Sequence, residues 1–165
     1  MQAKGEFALV TQQIEKARQT AGQPVKRGTM AHEHHVYLQL TEAAVQLRDA
    51  TALRQALPRL EELASRDEHR LFLAVAQRAR GVAQRLAGEY AAAEKQLGQA
   101  LELFSQLGTR WQLGRTHYEM GETAQARGDA TAARQHYQNA LAEFEALRAL
   151  PDLERARQAL QALRE

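Results

Sequence analysis

A forty-residue internal repeat constrains the fold of this 165-residue chain more than any other feature. Gly88-Glu89-Tyr90 matches Gly128-Asp129-Ala130 forty residues later, and the register continues along both copies. The matching downstream positions are apolar or small: Ala93, Leu97, Ala100 and Phe104 fall on Ala133, Tyr137, Ala140 and Phe144. A weaker copy surrounds Arg48-Asp49-Ala50, and a fourth begins at Gly5-Glu6-Phe7, with three extra residues before the next. A repeat of this length predicts an array in which each unit packs against its neighbour.

The spacing inside each copy predicts helices. Apolar residues recur three and four positions apart, as they do along one face of an α-helix. A glycine before the second helix suits the end of the first, because a positive φ costs glycine least. Good helix formers dominate the composition and β-branched residues are scarce, so an all-α fold is expected. The predicted helices lie near 5–20, 31–47, 50–65, 68–87, 89–106, 110–127, 130–148 and 151–164.

Several residues predict where individual helices begin, end or bend. Thr109 and Gln112 form a capping-box pattern before the helix that contains Trp111, and Gly108 ends the helix before it. Pro151 suits the start of the last helix, whereas Pro58 is expected to bend or interrupt the third. Residues 21–29 form the one predicted loop longer than a few residues.

The repeat resembles the tetratricopeptide repeat, in which a small residue precedes a Gly–acidic–aromatic turn and an Ala, large apolar, Ala–Leu series. The best copy supplies Gly81, Gly88, Glu89, Tyr90, Ala93, Leu97, Ala100 and Leu101. The next copy supplies Gly121, Gly128, Asp129, Ala133, Tyr137, Ala140 and Leu141. The resemblance implies a right-handed α-solenoid of antiparallel helical hairpins, with about seven or eight helices. It divides the chain into a partial repeat (1–28), a weak repeat (29–67), two repeats (68–108 and 109–148) and a capping helix (149–165).

The length of the repeat also indicates the kind of protein to which the chain belongs by resemblance. It exceeds the usual length of about 34 residues and is similar to repeats that follow ATPase modules in bacterial transcription regulators and signalling ATPases. The resemblance implies a non-catalytic protein–protein interaction or scaffold module, forming a C-terminal portion of a larger bacterial regulatory protein. The alternative is a sensor domain that binds a small ligand or short peptide in the concave groove and controls an attached regulator.

Charge and composition indicate which partners and which cellular compartment to expect. The net charge is +2, from 22 basic and 20 acidic residues with interspersed signs, which does not predict nucleic-acid binding. The chain has no Cys, which excludes disulfides and suits a reducing compartment, so we expect a cytoplasmic location. Residues 1–10 lack the apolar run of a signal peptide, and no segment approaches the ~20 apolar residues of a membrane span.

The motifs of the common enzyme classes are absent from the sequence. It contains no P-loop, GxGxxG, GxSxG or HExxH pattern, so neither an enzyme nor a cofactor is expected. His32 and His35, three residues apart on a helix, could share one face and chelate a transition metal. We favour the alternative that they are solvated residues of a polar first turn, because the sequence places no third ligand beside them.

The first helix of each hairpin is expected to line a concave groove in this repeat class. Residues there that packing does not require are candidates for partner binding: His35, Leu38, Glu42, Gln46, Val75, Arg78, Val82, Arg85, Arg115, Tyr118, Glu122 and Gln125. Their arginines and apolar residues would suit an acidic, partly apolar peptide, because arginine binds carboxylates through two donors. The alternative is an ordinary solvated face.

Packing roles follow from the same register. Small residues such as Gly81, Ala93 and Ala100 are expected where paired helices cross. Large residues such as Leu97, Phe104, Tyr137 and Phe144 are expected to fill the space between hairpins, and Tyr90 is also assigned to the core. Trp111 is expected to pack between hairpins, with an exposed anchor for a partner as the alternative.

The two ends of the chain differ. The last helix carries Leu153, Ala156 and Leu160 on one face and charged residues on the others, as a capping helix should. Near the other end, Phe7, Val10 and Ile14 form an apolar stripe whose hairpin partner has only a few residues. We expect either that the chain is a fragment of a longer protein or that a second copy covers this stripe in a homodimer.

Overall fold

The structure, a computed structural model, describes residues 30–163, with side chains from Glu33 onward. The predicted helix at 5–20, the loop at 21–29 and the residues Phe7, Val10 and Ile14 lie outside the described residues.

Every element of the described chain is a helix. The seven helices are α1 (Met30–Leu47), α2 (Ala50–Arg66), α3 (Arg70–Leu86), α4 (Tyr90–Gln106), α5 (Arg110–Arg127), α6 (Ala130–Leu147) and α7 (Leu150–Ala162). Each begins and ends within two residues of its prediction, and no strand occurs between residues 30 and 163. The prediction of an all-α helical repeat is confirmed.

The turns between helices recur at a twenty-residue interval. A residue with positive φ occupies each of them: Arg48, Glu68, Gly88, Gly108, Gly128 and Arg148. Glycine adopts this conformation at little cost, as at Gly128 with φ of 88°, whereas Arg48 and Arg148 adopt it at a cost of about 1–2 kcal/mol. The turns that lack glycine therefore have the same backbone conformation as those that contain it.

Side chains complete the turns in two different ways. Asp49 Oδ1 accepts hydrogen bonds from the backbone N–H groups of Thr51 and Ala52, at 2.9 and 3.0 Å, which caps the start of α2. Thr109 does not cap α5 with its side chain. Its hydroxyl donates to the Phe104 carbonyl oxygen at 3.2 Å, so the capping-box prediction is wrong. The same carbonyl oxygen also accepts the Thr109 backbone N–H at 3.1 Å, so the hydroxyl adds a second donor to it.

The described chain forms two compact units, one up to Ala79 and one from Arg80, and α3 contributes to both. In the first unit α1 packs on α2. In the second, α4 packs on α5, α5 on α6, and α6 on α7. Because two or three residues join successive helices, neighbours in each pair run antiparallel.

Glycine permits the close approach of paired helices. A Cβ atom on Gly121 in α5 would lie 2.5 Å from Tyr137 Cε1 in α6, and one on Gly81 in α3 would lie 2.7 Å from Leu97 Cγ in α4. These two contacts are forty residues apart, as the register predicts. Tyr137 and Leu97 are fully buried, whereas Tyr90 is only partly buried and its assignment to the core was too strong.

Two further predictions concern Pro58 and the last helix. Helix α2 continues through Pro58, so the interruption considered from the sequence does not occur. In α7, Leu153 and Ala156 are buried while Glu154 and Arg157 are exposed, which confirms its one-sided pattern.

Alanine substitutions of two helical glycines, one in close contact with a neighbour and one beside open space, test this packing. We expect Gly121→Ala to destabilise the protein by about 1–3 kcal/mol, because the new methyl group would collide with the Tyr137 ring. Gly98 in α4 has open space beside it, so Gly98→Ala should stabilise the protein by about 0.5–1 kcal/mol through helix propensity. Urea denaturation followed by circular dichroism measures both. Equal effects of the two substitutions would contradict the close approach.

Candidate functional site

The residues predicted to line a groove occupy different environments in the first unit. His35 is exposed, Leu38 and Gln46 are partly buried, and Val75 is buried. Arg78 is only 1% exposed, and its guanidinium forms an ion pair with the Glu42 carboxylate on α1. Breaking a buried ion pair by removing one partner typically costs about 3–5 kcal/mol. Arg78 is therefore engaged within the chain.

The second unit shows the same arrangement. Val82 is buried, and the Arg85 guanidinium lies 2.8 Å from Glu119 Oε2 and 3.7 Å from Glu122 Oε2 on α5. Arg85 Nη1 also donates to the Glu119 backbone carbonyl at 3.4 Å. A partner carboxylate could reach Arg78 or Arg85 only by breaking these pairs. Their role in binding stays a prediction, and a surface with accessible groups is the better candidate.

A hydrogen-bonded network continues along α5 from Glu122. The Tyr118 hydroxyl donates to Glu122 Oε1 at 3.2 Å. The Tyr137 hydroxyl donates to Gln125 Oε1 at 2.8 Å and lies 3.2 Å from Glu122 Oε1. Burial and the Glu122 charge raise the pKa of Tyr137, and burial raises the pKa of Tyr118. Both phenols therefore stay protonated and serve as donors at neutral pH.

Trp111 is held in a fixed orientation at the start of α5. Its indole Nε1–H donates to Asp152 Oδ2 on α7 at 2.8 Å, and the Arg115 guanidinium lies 4.7 Å from the centre of the ring. The indole nevertheless remains 43% exposed. The indole of Trp111 thus contacts α7 and also presents surface to solvent, and its role as an anchor for a partner stays a prediction.

A small cavity lies beside Trp111, between α5 and α7. It is lined by Arg115, Tyr118, Glu119, Phe144, Asp152 and Arg155. The Arg155 guanidinium lies 4.2 Å from the centre of the Tyr118 ring, and its Nη2 is 4.0 Å from Glu119 Oε1. Charged groups of both signs therefore meet two aromatic rings at this point.

We name the region around this cavity the α5–α7 surface. It is defined by the exposed Trp111, the partly buried Asp152 and Arg155, and the buried Arg115 and Tyr118. Leu150, which is 69% exposed and precedes Asp152 by two residues, extends it with an apolar side chain. Sequence reasoning selected Arg115 and Tyr118 but missed Asp152, Arg155 and Glu119. The repeat register could have found Arg155, which occupies the position of Arg115 one repeat later.

Two histidines form a second cluster between α5 and α6. The rings of His117 and His136 are stacked with centres 5.7 Å apart. Neither Nδ1 atom has a hydrogen-bond partner among the residues that the structure describes. Burial and the neighbouring His136 lower the pKa of His117 to about 4, and Glu143 opposes this shift. Burial also lowers the pKa of His136, opposed by Glu94. The folded state therefore favours neutral rings.

This pair predicts that stability depends on pH. The unfolded imidazole has a pKa of about 6.5, so the unfolded chain binds more protons than the folded one between about pH 6.5 and 4. The contribution of His117 is fully present above that window and is lost as the pH falls through it. We expect a loss of about 1–3 kcal/mol, discounted for partial exposure. The His117→Asn variant should lose less stability than the wild type between about pH 7 and 5 in urea titrations. Parallel stability profiles would contradict this.

The described histidines of the first unit contact neighbouring side chains. His34 Nε2 lies 2.5 Å from Asp67 Oδ2, and His69 stacks on Phe72. Within residues 33–163, no group of three His, Cys, Asp or Glu side chains has the geometry to hold a metal ion. The side chain of His32 lies outside the described residues, so the chelation alternative with His35 stays untested.

Comparison with known proteins adds no relative, since neither a protein-family model nor a curated protein matches this chain. None of the seven described helices has the length and apolarity required to cross a membrane.

Proposed function

We propose that this chain is a non-catalytic protein–protein interaction module that binds its partner through the α5–α7 surface. The observation that carries the proposal is the indole of Trp111, which is fixed by Asp152 and Arg115 yet 43% exposed. The resemblance to tetratricopeptide repeats supports an interaction role and suggests a C-terminal portion of a larger bacterial regulatory protein. A cytoplasmic location is part of this proposal.

The physical chemistry of the surface favours a specific contact. Tryptophan dominates the energy of many interfaces because it buries a large apolar area and loses few rotamers on binding. The hydrogen bond to Asp152 and the Arg115 guanidinium fix the ring before a partner arrives, which lowers the entropic cost of binding. Leu150 adds exposed apolar area nearby along α7.

The chemistry of the partner follows from the groups around the ring. An apolar side chain would pack on the exposed part of Trp111, and a neighbouring carboxylate would approach the guanidinium group of Arg155 and not that of Arg115. We therefore propose an acidic, partly apolar peptide segment of another protein as the ligand. Arg155 is the more accessible of the two arginines, because Arg115 is buried.

A sensor function is the second candidate, and the cavity between α5 and α7 favours it. Two arginines and two carboxylates converge there on Tyr118 and Phe144. A small molecule with both an anionic and an apolar part would match these groups if Arg155 moved aside. Binding at this site would then be relayed to an attached regulatory domain.

Trp111→Ala tests the proposal directly. Because Trp111 is the only Trp in the chain, its fluorescence reports contacts at this surface alone. Peptides selected from a displayed library of acidic and apolar sequences should shift the wild-type fluorescence on binding. Trp111→Ala should weaken their affinity by roughly 2–4 kcal/mol, measured by calorimetry.

Leu86→Ala serves as the matched control, since Leu86 is also an exposed large hydrophobic residue but lies on α3. It should bind the selected peptides as the wild type does. Equal affinities of all three proteins would contradict the proposed surface. If small anionic metabolites, and not peptides, raise the melting temperature of the wild type and fail to do so for Arg155→Gln, the sensor function replaces it.

A further inference from the structure

The imidazoles of His117 and His136 lie where glycines bring α5 and α6 close together. His117 follows Gly114 by three residues and precedes Gly121 by four, so it shares one face of α5 with both glycines. A Cβ atom on Gly114 would lie 2.6 Å from Phe144 Cε1 in α6, and the contact at Gly121 is equally close. The two backbones are therefore fixed on either side of His117, and they hold the two imidazoles at a defined separation.

Each of these rings has a nitrogen atom without a hydrogen-bond partner. The Nδ1 atoms of His117 and His136 are shielded from solvent, and neither has a partner among the residues that the structure describes. A buried polar atom left unpaired typically costs about 1–3 kcal/mol, so two of them in one pair of rings require an explanation. Burial lowers the pKa of both imidazoles, so the rings are neutral at pH 7. The nitrogen of a neutral imidazole is a common metal ligand.

The separation of the rings matches that of two imidazoles bound to one metal ion. Transition metals bind imidazole nitrogen at ~2.0–2.1 Å, and the nitrogen lies about 1.2 Å from the ring centre, so the centres of two bound rings lie up to about 6.5 Å apart. The centres of the His117 and His136 rings are 5.7 Å apart, and the ring planes are inclined by 29°. The χ2 torsion of histidine is broad, so rotation of the rings can turn both Nδ1 atoms towards one point between them.

Carboxylates near both rings favour a bound cation. The charge of Glu143 acts on His117, and the charge of Glu94 acts on His136. Each carboxylate is also paired with an arginine of α5, at 2.8 and 2.9 Å. No third His, Asp or Glu side chain completes a metal site with the two rings among residues 33–163. Water molecules would therefore fill the remaining coordination positions of an ion at this point.

The internal repeat indicates that the fold does not require histidine at these two positions. Forty residues earlier, the equivalents of His117 and His136 are Gln77 and Gln96. Eighty residues earlier, they are a tyrosine and an alanine. The pair of imidazoles is thus particular to the hairpin of α5 and α6. Glutamine at either position would be a residue that the repeat already uses there.

We propose that His117 and His136 form a two-histidine site for a divalent first-row transition metal ion, bound through the Nδ1 atom of each ring. The ion joins α5 to α6 and satisfies both unpaired nitrogen atoms. Imidazole ligands suit Cu²⁺, Ni²⁺ and Zn²⁺, with the highest affinity for Cu²⁺, whereas Mg²⁺ and Ca²⁺ prefer oxygen ligands. The site shares no residue with the α5–α7 surface and does not rest on the proposed function.

Calorimetric titration of the full chain with Ni²⁺ alone tests the proposal. The wild type should show a binding step that His117→Gln and His136→Gln each weaken roughly a hundredfold, because the second imidazole no longer adds its binding within the same molecule. His69→Gln is the matched control, since His69 is a histidine of the first unit, and it should bind Ni²⁺ as the wild type does. Circular dichroism should give the same helical signal for all four proteins. If one glutamine variant loses that signal, the other decides.

The melting temperature gives a second readout. Ni²⁺ should raise it for the wild type and for His69→Gln but not for the other two variants, because only the native state holds both imidazoles together. Equal affinities of all four proteins for Ni²⁺ would place the metal on other histidines and overturn the proposal. No binding by the wild type would overturn it in favour of a water molecule between the rings. Mg²⁺ binding as tightly as Ni²⁺ would overturn it in favour of carboxylate ligands.

Discussion

The fold depends on the close approach between a small residue in one helix and a large residue in the next. Gly81 with Leu97 and Gly121 with Tyr137 make the same contact one repeat apart, at distances that leave no room for a methyl group. This contact fixes both the separation and the register of the two helices, because packed interiors tolerate little change in volume. The side chains of Leu97 and Tyr137 are then fully buried, and the other apolar residues on the same face of each helix also lie in the core. In the weaker copy, Thr41 and Leu57 take these two positions and both are buried.

Two buried arginines on α3 each form an ion pair with a carboxylate on the first helix of a neighbouring hairpin. Arg78 pairs with Glu42 in one unit, and Arg85 pairs with Glu119 in the other. Such pairs contribute little net stability compared with apolar residues of the same volume, but a misaligned helix would leave a buried charge without its partner. We infer that they select one helix register. On the α5–α7 surface, by contrast, the Trp111 indole is exposed and Arg155 is partly exposed.

Local patterns in the sequence predicted the helices well because their signals are local. Spacings of three and four residues, together with Gly88, Gly108 and Gly128, located the helices and turns to within two residues. The failures share a different cause. The Thr109 hydroxyl donates to the Phe104 carbonyl oxygen of the previous helix, and the pattern of residues at the start of α5 does not encode that contact. The burial of Arg78 and Arg85 depended on carboxylates about 36 and 34 residues away, which helix periodicity does not register.

The residues of the candidate site were likewise predicted only where the pattern of their own helix identified them. Arg115 and Tyr118 could be selected because both lie on the predicted first helix of a hairpin. Asp152 and Arg155 were missed because α7 was treated as a cover for the core, although its polar face contributes to the α5–α7 surface. Applying the repeat register to the last helix would have brought Arg155 into the set.

The most direct test of the fold on which this account depends is a nuclear Overhauser measurement on the folded protein. Cross-peaks between the Gly121 α-protons and the Tyr137 ring, and between the Gly81 α-protons and the Leu97 methyl groups, are the predicted result. The aromatic ring should also shift the Gly121 α-protons upfield, because the two groups are in contact. Helical chemical shifts in the four helices between residues 70 and 147 without either set of cross-peaks would show that the helices pair in another register, and would contradict this close approach.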